Sequence, residues 1–216
     1  GPGDPAVAEK VLSERISRLE REPAGIERAK IIAYTDYKEE TESMDVVQGK
    51  LVMAFRLGAP TETRERNAAR VFSALYGGTP FSKLFMNVRE KRSLCYYVSS
   101  SYERSGILLV DSGIEFDKRE ATQKEIIRQL AAMQEGDFTE EELSEAKLLM
   151  KNSIGSVTDS LGATEGWYLG GILDDDAVSP EEDQKQIDEV TAEEVIALAK
   201  RAVLSTVFFL KGAEEE

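Results

Sequence analysis

Between Gly77 and Glu115 the hydrophobic period of this chain switches from helical to alternating, which rules out an all-helical fold. The stretch reads GGTPFSKLFMNVREKRSLCYYVSSSYERSGILLVDSGIE. Gly77-Gly78-Thr79-Pro80 frees the backbone and then restricts φ for a fresh start. Leu84, Phe85 and Val88 recur at helical spacing, with Lys83, Asn87, Arg89 and Lys91 on other faces. After Leu94 the period becomes two: Tyr96, Val98, Ser100 and Tyr102 share one face of a strand. A second strand follows from Ile107 to Val110, and Glu103-Arg104-Ser105-Gly106 is the hairpin loop between them.

The rest of the chain supplies mostly helices, with strands at intervals. Asp4-Pro5 pairs an N-cap with a first-turn proline, and Val7, Val11, Leu12, Ile16 and Leu19 form an apolar stripe through Glu20. A strand is expected over Lys30–Tyr37, and the acidic run Lys38–Asp45 is expected as a solvated connection. Val46–Leu57 reads as a central strand and Thr61–Tyr76 as a helix that packs Ala69, Phe72, Ser73 and Tyr76 on the sheet. Asp117 with Glu120 signals a helix start, with Ile126, Ile127, Leu130 and Met133 facing inward and Gly136 as the stop. Thr139–Glu142 is a capping box opening a long helix, and Thr164–Leu173 is helical despite its glycines. Asp174-Asp175-Asp176 reads as a surface loop. Ser179-Pro180 and Thr191–Glu194 start two further helices before a last strand, Thr206–Lys211. Helices grouped between strand pairs favour an α+β two-layer sandwich, with a largely antiparallel sheet of about five strands and helices on one face.

Composition narrows the chemistry. The 216 residues contain no histidine and one cysteine, Cys95. A Ser-His-Asp or Cys-His nucleophile system is therefore excluded, and so is a zinc site built on imidazole ligands. Cys95 has no histidine to activate it and reads as an apolar thiol. One cysteine makes no internal disulfide, which fits a reducing, cytoplasmic setting. A net charge of −14 argues against nucleic acid or an anionic membrane as partner, and no apolar run is long enough to span a bilayer. The acidic run at Glu39, Glu40, Glu42 and Asp45 lacks a calcium-loop pattern. Gly77-Gly78 is not followed by the lysine and hydroxyl of a phosphate loop.

The segment GGTPFSKLFMNVREKRSLCYYV closely resembles a stretch of the M16, or pitrilysin-like, zinc peptidases. The likeness is to the C-terminal, non-metal-binding half of the processing-peptidase-like members. The resemblance covers nearly the whole chain, although only residues 77–98 are specific enough to stand alone. It implies an M16-type half-domain that is inactive by itself, with zinc held by another half and none in this chain. Its partner would be an N-terminal M16 half in cis or a catalytic M16 subunit in trans, with peptide as substrate. The resemblance further implies that Arg89 and Tyr96 reach the scissile carbonyl above the partner's zinc, where a guanidinium and a phenol supply donors to an oxyanion. It places residues 1–25 at the end of a preceding half or linker and 26–213 as the C-terminal-like domain; the charged end, residues 214–216, is expected as a disordered tail.

Alternatives stand beside each of these roles. Arg89 could be held in an ion pair with a neighbouring glutamate, and Tyr96 could be a core tyrosine with its hydroxyl satisfied. Tyr97 and Tyr102, offered as substrate-binding residues, could equally belong to the core, as could Trp167. The first helix could simply open an independent domain. A different class of function, a non-catalytic structural or interaction subunit, fits the same sequence.

Overall fold

Leu51, Met53 and Phe55 alternate with Lys50, Val52, Ala54 and Arg56, and the strand they form, β2 (Gly49–Arg56), buries the first set completely. That alternation is the signature of a sheet with one covered face. The computed structural model describes residues 3–22, 25, 36–58, 60 and 62–213, and the chain packs as two units, residues 1–30 and 31–216.

In the larger unit, β1 (Lys38–Met44), β2, β3 (Tyr97–Glu103), β4 (Ile107–Ile114) and β5 (Val203–Gly212) form one sheet in the order β1-β5-β2-β4-β3. The β1–β5 pairing is parallel and the other three are antiparallel, so the sheet is mixed. Its register sets Val52 opposite Asp111 of β4 and Phe208 of β5, with a shift at Ala54/Phe55. Helices α2 (Thr63–Ser73), α3 (Arg119–Glu135), α4 (Glu140–Gly155), α6 (Pro180–Glu189) and α7 (Ala192–Arg201) contribute Phe72, Ile126, Leu143, Ile187 and Leu198 to one core with Leu51, Leu108 and Val207. The result is the two-layer α+β arrangement expected from the sequence. α5 (Leu161–Leu173) is more peripheral, with Leu161, Leu169 and Ile172 exposed. No described helix is long and apolar enough to cross a membrane.

Four of the capping signals hold in detail, at Asp4, Thr139, Ser179 and Thr191. Thr139 and Thr191 each complete a capping box with Glu142 and Glu194, and Ser179 accepts from the Glu182 amide ahead of Pro180. Gly136 ends α3 at φ 77°, a conformation that costs glycine nothing. In the smaller unit, Asp4 caps α1 (Pro5–Ile16) and accepts from the Ala6 amide at 2.9 Å, while the stripe from Val7 to Ile16 faces solvent.

Four expectations are corrected. The acidic run is not a connection: Lys38–Met44 is β1, exposed along its whole length and held by its ladder to β5. Backbone pairing does not require an apolar face, and Arg119 engages Glu39 while stacking 5.0 Å over Phe209. Charge on a terminal strand also discourages edge-to-edge association. Ile127 points outward, and α3 instead buries Thr122, Glu125 and Gln129 beside Ile126, Leu130 and Met133. Asp117 lies in a 3₁₀ turn (Phe116–Lys118) and caps nothing. Finally, the expected helices either side of the glycine turn widen into π-helical turns at Ala74–Gly78 and Phe85–Glu90. The expected strand over residues 30–37 lies mostly outside the described residues, as does the tail 214–216.

Candidate functional site

The site begins with a close approach. A Cβ on Gly77 would come within 2.9 Å of the Ser100 amide nitrogen and of Leu84, so only glycine lets the turn settle on β3. Nearby, Tyr76 is fully buried, stacks on Phe72 and donates its hydroxyl to the Ile126 carbonyl at 2.8 Å. Burial pushes that phenol well above its ordinary pKa. Ser100 donates to the Ser73 carbonyl at 2.7 Å, which fixes the hairpin to the end of α2.

From this anchor the π-helical turn Phe85–Glu90 carries Arg89 outward. π-Helical turns are rare and concentrate at functional sites. The turn ends in a left-handed cap: Ser93 holds φ 50°, Leu94 donates to the Val88 carbonyl and Ser93 to the Arg89 carbonyl, both at 3.0 Å. Arg89 donates Nε–H to the Tyr96 carbonyl at 2.8 Å and lies 4.6 Å over the Phe85 ring. Its Nη1 is 3.4 Å from Glu90, an ion pair in the open. Tyr96 is not a core residue: it is 56% exposed.

A second layer holds the turn from behind. Glu125, only 5% exposed, accepts from Arg128 and from Gln129, and forms an ion pair with Arg92 at 3.1 Å. Gln129 in turn accepts from Asn87 at 2.9 Å. Burial works to raise the Glu125 pKa, but hydrogen bonds from Arg128 and Gln129 and the charges of Arg128 and Arg92 outweigh it, leaving the group below the usual carboxylate range.

Beside Tyr96 lies a cleft of about 200 Å³ bounded by Ser93, Cys95, Glu115 and Lys118. Lys118 donates to Glu115 at 2.9 Å and to the Ser93 carbonyl at 3.2 Å. Burial pushes the half-buried Cys95 thiol up to about 11, against the pull of Arg89, so it is a thiol and not a thiolate near neutral pH.

The two other tyrosines do not join this cleft. Tyr97 packs its ring into space that a Cβ on Gly113 would occupy, and its hydroxyl donates to Asp111 at 3.1 Å. Burial, then the Asp111 charge and hydrogen bond, push this phenol up to about 12. Tyr102, five residues along β3, projects from the opposite face. It lines a cavity of about 380 Å³ among α2, α5 and α6, with Trp167 and three arginines. Those arginines are matched: Arg66 with Asp176 at 2.9 Å, Arg70 with Asp183 at 2.7 Å and Arg104 with Asp174 at 2.9 Å. Sequence reading missed Lys118, Asp111 and Glu125: helical spacing offers Lys118 its Glu115 and Glu125 its Arg128 and Gln129, but the Ser93 carbonyl, Arg92 and Tyr97 reach them only through the fold.

The donor set of this chain does not fit zinc. It offers no imidazole and a single thiol, and among the described residues no three Cys, Asp or Glu side chains group to hold an ion.

Residues 1–150 match the family described as Peptidase M16 inactive domain. A Bacillus subtilis protein named "Probable inactive metalloprotease YmfF" is 36% identical over 179 residues, covering 82% of this chain and 42% of that protein. This chain thus spans less than half the length of that relative. The fold matches the crystal structure of a conserved protein from Enterococcus faecalis V583, with TM-score 0.84 and 32% identity over 96% of this chain and 50% of that one. It also matches a peptidase M16 inactive domain from Pseudomonas fluorescens, with TM-score 0.80 and 20% identity over 100% of this chain and 53% of that one. On these matches the chain belongs to the M16 peptidase family, as its inactive, C-terminal-like domain.

Proposed function

We propose that this chain is the metal-free half of an M16-type peptidase, closing a peptide chamber with a zinc-bearing half in cis or in trans. The observation that carries the reading is the Arg89–Tyr96 arrangement within the family-like motif. Arg89 spends Nε–H on the Tyr96 carbonyl, so the residue that needs orienting is tied to the residue that orients it. Its Nη2 and the Tyr96 hydroxyl make no hydrogen bond among the described residues, and both side chains reach solvent. Such held but unspent donors suit a carbonyl oxygen that gains negative charge as the bond is attacked. The metal belongs to the other half.

The test is reconstitution with a zinc-bearing M16 half and an assay of peptide cleavage. Arg89→Ala and Tyr96→Phe are each expected to slow cleavage about 10²-fold or more with the complex intact. Unchanged rates in both variants would show the pair to be structural.

A second reading is a non-catalytic interaction subunit, favoured by the relative named a probable inactive metalloprotease. It predicts a stable complex that forms in chelator and cleaves nothing.

A further inference from the structure

The sheet has an open face. Opposite the buried set, β2 presents Lys50, Val52, Ala54 and Arg56, all half-buried or exposed. Ladder partners extend that face: Phe208 lies beside Val52, Leu109 beside Ala54 and Ile107 beside Arg56. Most of the charge on it is already used or stands in solvent. Asp111, opposite Val52, accepts from Tyr97. Arg56 is different.

Arg56 is half-buried and makes no ion pair or hydrogen bond among the described residues, and its Nε is sealed from water with no acceptor. Glu103 shares its row two strands away, roughly 10 Å by strand spacing, and does not pair with it. The setting makes this unusual, because the chain carries 41 acidic residues against 27 basic ones. Where arginines in this fold are half-buried elsewhere, as at Arg66, Arg70 and Arg201, each holds a carboxylate. The enclosed Nε is out of a ligand's reach, so the Nη groups of the fork are what a partner on this face meets, and they have no carboxylate among the described residues.

We infer that Arg56 is a specificity residue on this open face, placed to take the acidic side chain of an extended peptide. A carboxylate matches the planar fork of a guanidinium, and Ile107 beside it, Leu109 one row along and Val52 with Phe208 two rows along suit successive same-face side chains of that peptide. The inference rests on the reading of this half as the wall of a peptide chamber and adds a charge preference to it.

The test uses the 216-residue chain and two short fluorescent peptides that differ only in a central Glu or Gln, with affinities read by fluorescence anisotropy. The wild-type chain is expected to favour the Glu peptide about tenfold. Arg56→Gln should abolish the preference while the Gln peptide binds as before, Arg56→Lys should retain part of it, and Lys50→Gln should leave it intact. Unfolding curves on each variant confirm that the fold survives. A wild-type chain with no preference overturns the assignment of Arg56, as does a preference that persists in Arg56→Gln, and in both cases peptide binding and the chamber reading stand. Failure of both peptides to bind the wild-type chain overturns the chamber-wall reading and Arg56 with it.

Discussion

Arg89 reaches across its own helix cap to donate Nε–H to the backbone carbonyl of Tyr96 at 2.8 Å, seven residues away. One bond therefore ties the end of the π-helical turn to the start of the hairpin, and each residue reports on the other. Arg89→Lys keeps the charge and loses that donor geometry. It is expected to lower stability by about 1 kcal/mol, or roughly 2–4 °C in Tm, measured by thermal unfolding. An unshifted Tm would mean the bond is not held in solution.

Ser93 occupies the left-handed cap at φ 50° that glycine adopts without strain. Ser93→Gly is expected to stabilise the chain by about 0.5–1 kcal/mol, since relief of strain exceeds the extra chain entropy of glycine in the unfolded state. Urea denaturation reads the midpoint shift, and a lower midpoint would refute the strain.

Gly77 tests the opposite case. A methyl group there meets the Ser100 amide nitrogen and Oγ at 2.9 Å, contacts that rigid backbone cannot relieve. Gly77→Ala should cost about 1–3 kcal/mol and, by lifting the turn off β3, slow any cleavage that depends on Arg89. Equal stability of wild type and variant in urea would show that the turn has room to move.

The Glu125 cluster carries a pH signature. Its carboxylate sits below the usual range, so its contribution is complete above the unfolded carboxylate pKa and is lost as pH falls through the folded one. Glu125→Gln leaves Arg92 and Arg128 without their anion and is expected to cost about 1.5–3 kcal/mol at neutral pH. The gap between variant and wild type should narrow below about pH 4, followed by denaturant titration across pH. A gap independent of pH would assign the loss to packing.

Tyr97 acts at the alkaline end. Its phenol is pushed up to about 12, so the folded state holds a proton that the unfolded chain releases near its ordinary value. Stability should fall as pH rises through that window, and Tyr97→Phe should remove the fall. Ultraviolet titration of wild type against variant isolates the residue; a Tyr97 that ionises near pH 10 would remove the predicted slope.

Local signals in this chain were strong where one residue decides one conformation. Thr139, Ser179 and Thr191 cap their helices because each side chain needs only an amide two or three residues away. The period switch after Leu94 placed the hairpin, and the alternation of Leu51, Met53 and Phe55 placed the core of β2. Even the opposite faces of Tyr97 and Tyr102 follow from their odd separation on a strand. Lys38–Met44 was opaque for the converse reason: nothing in an acidic, exposed segment announces a strand whose only support is the β5 ladder.

The sequence by itself determined the hairpin, most of the helix starts, the absence of imidazole and, through residues 77–98, the family. Tertiary structure alone decided which charges are spent. Arg92 joined Glu125 from outside its helix, Asp111 took the Tyr97 hydroxyl, and Arg56 was left half-buried with no acceptor among the described residues. Pairing across 14 to 113 residues is a property of the packed chain, because helical spacing encodes only near neighbours such as Glu125 and Arg128 and is silent on groups this far apart.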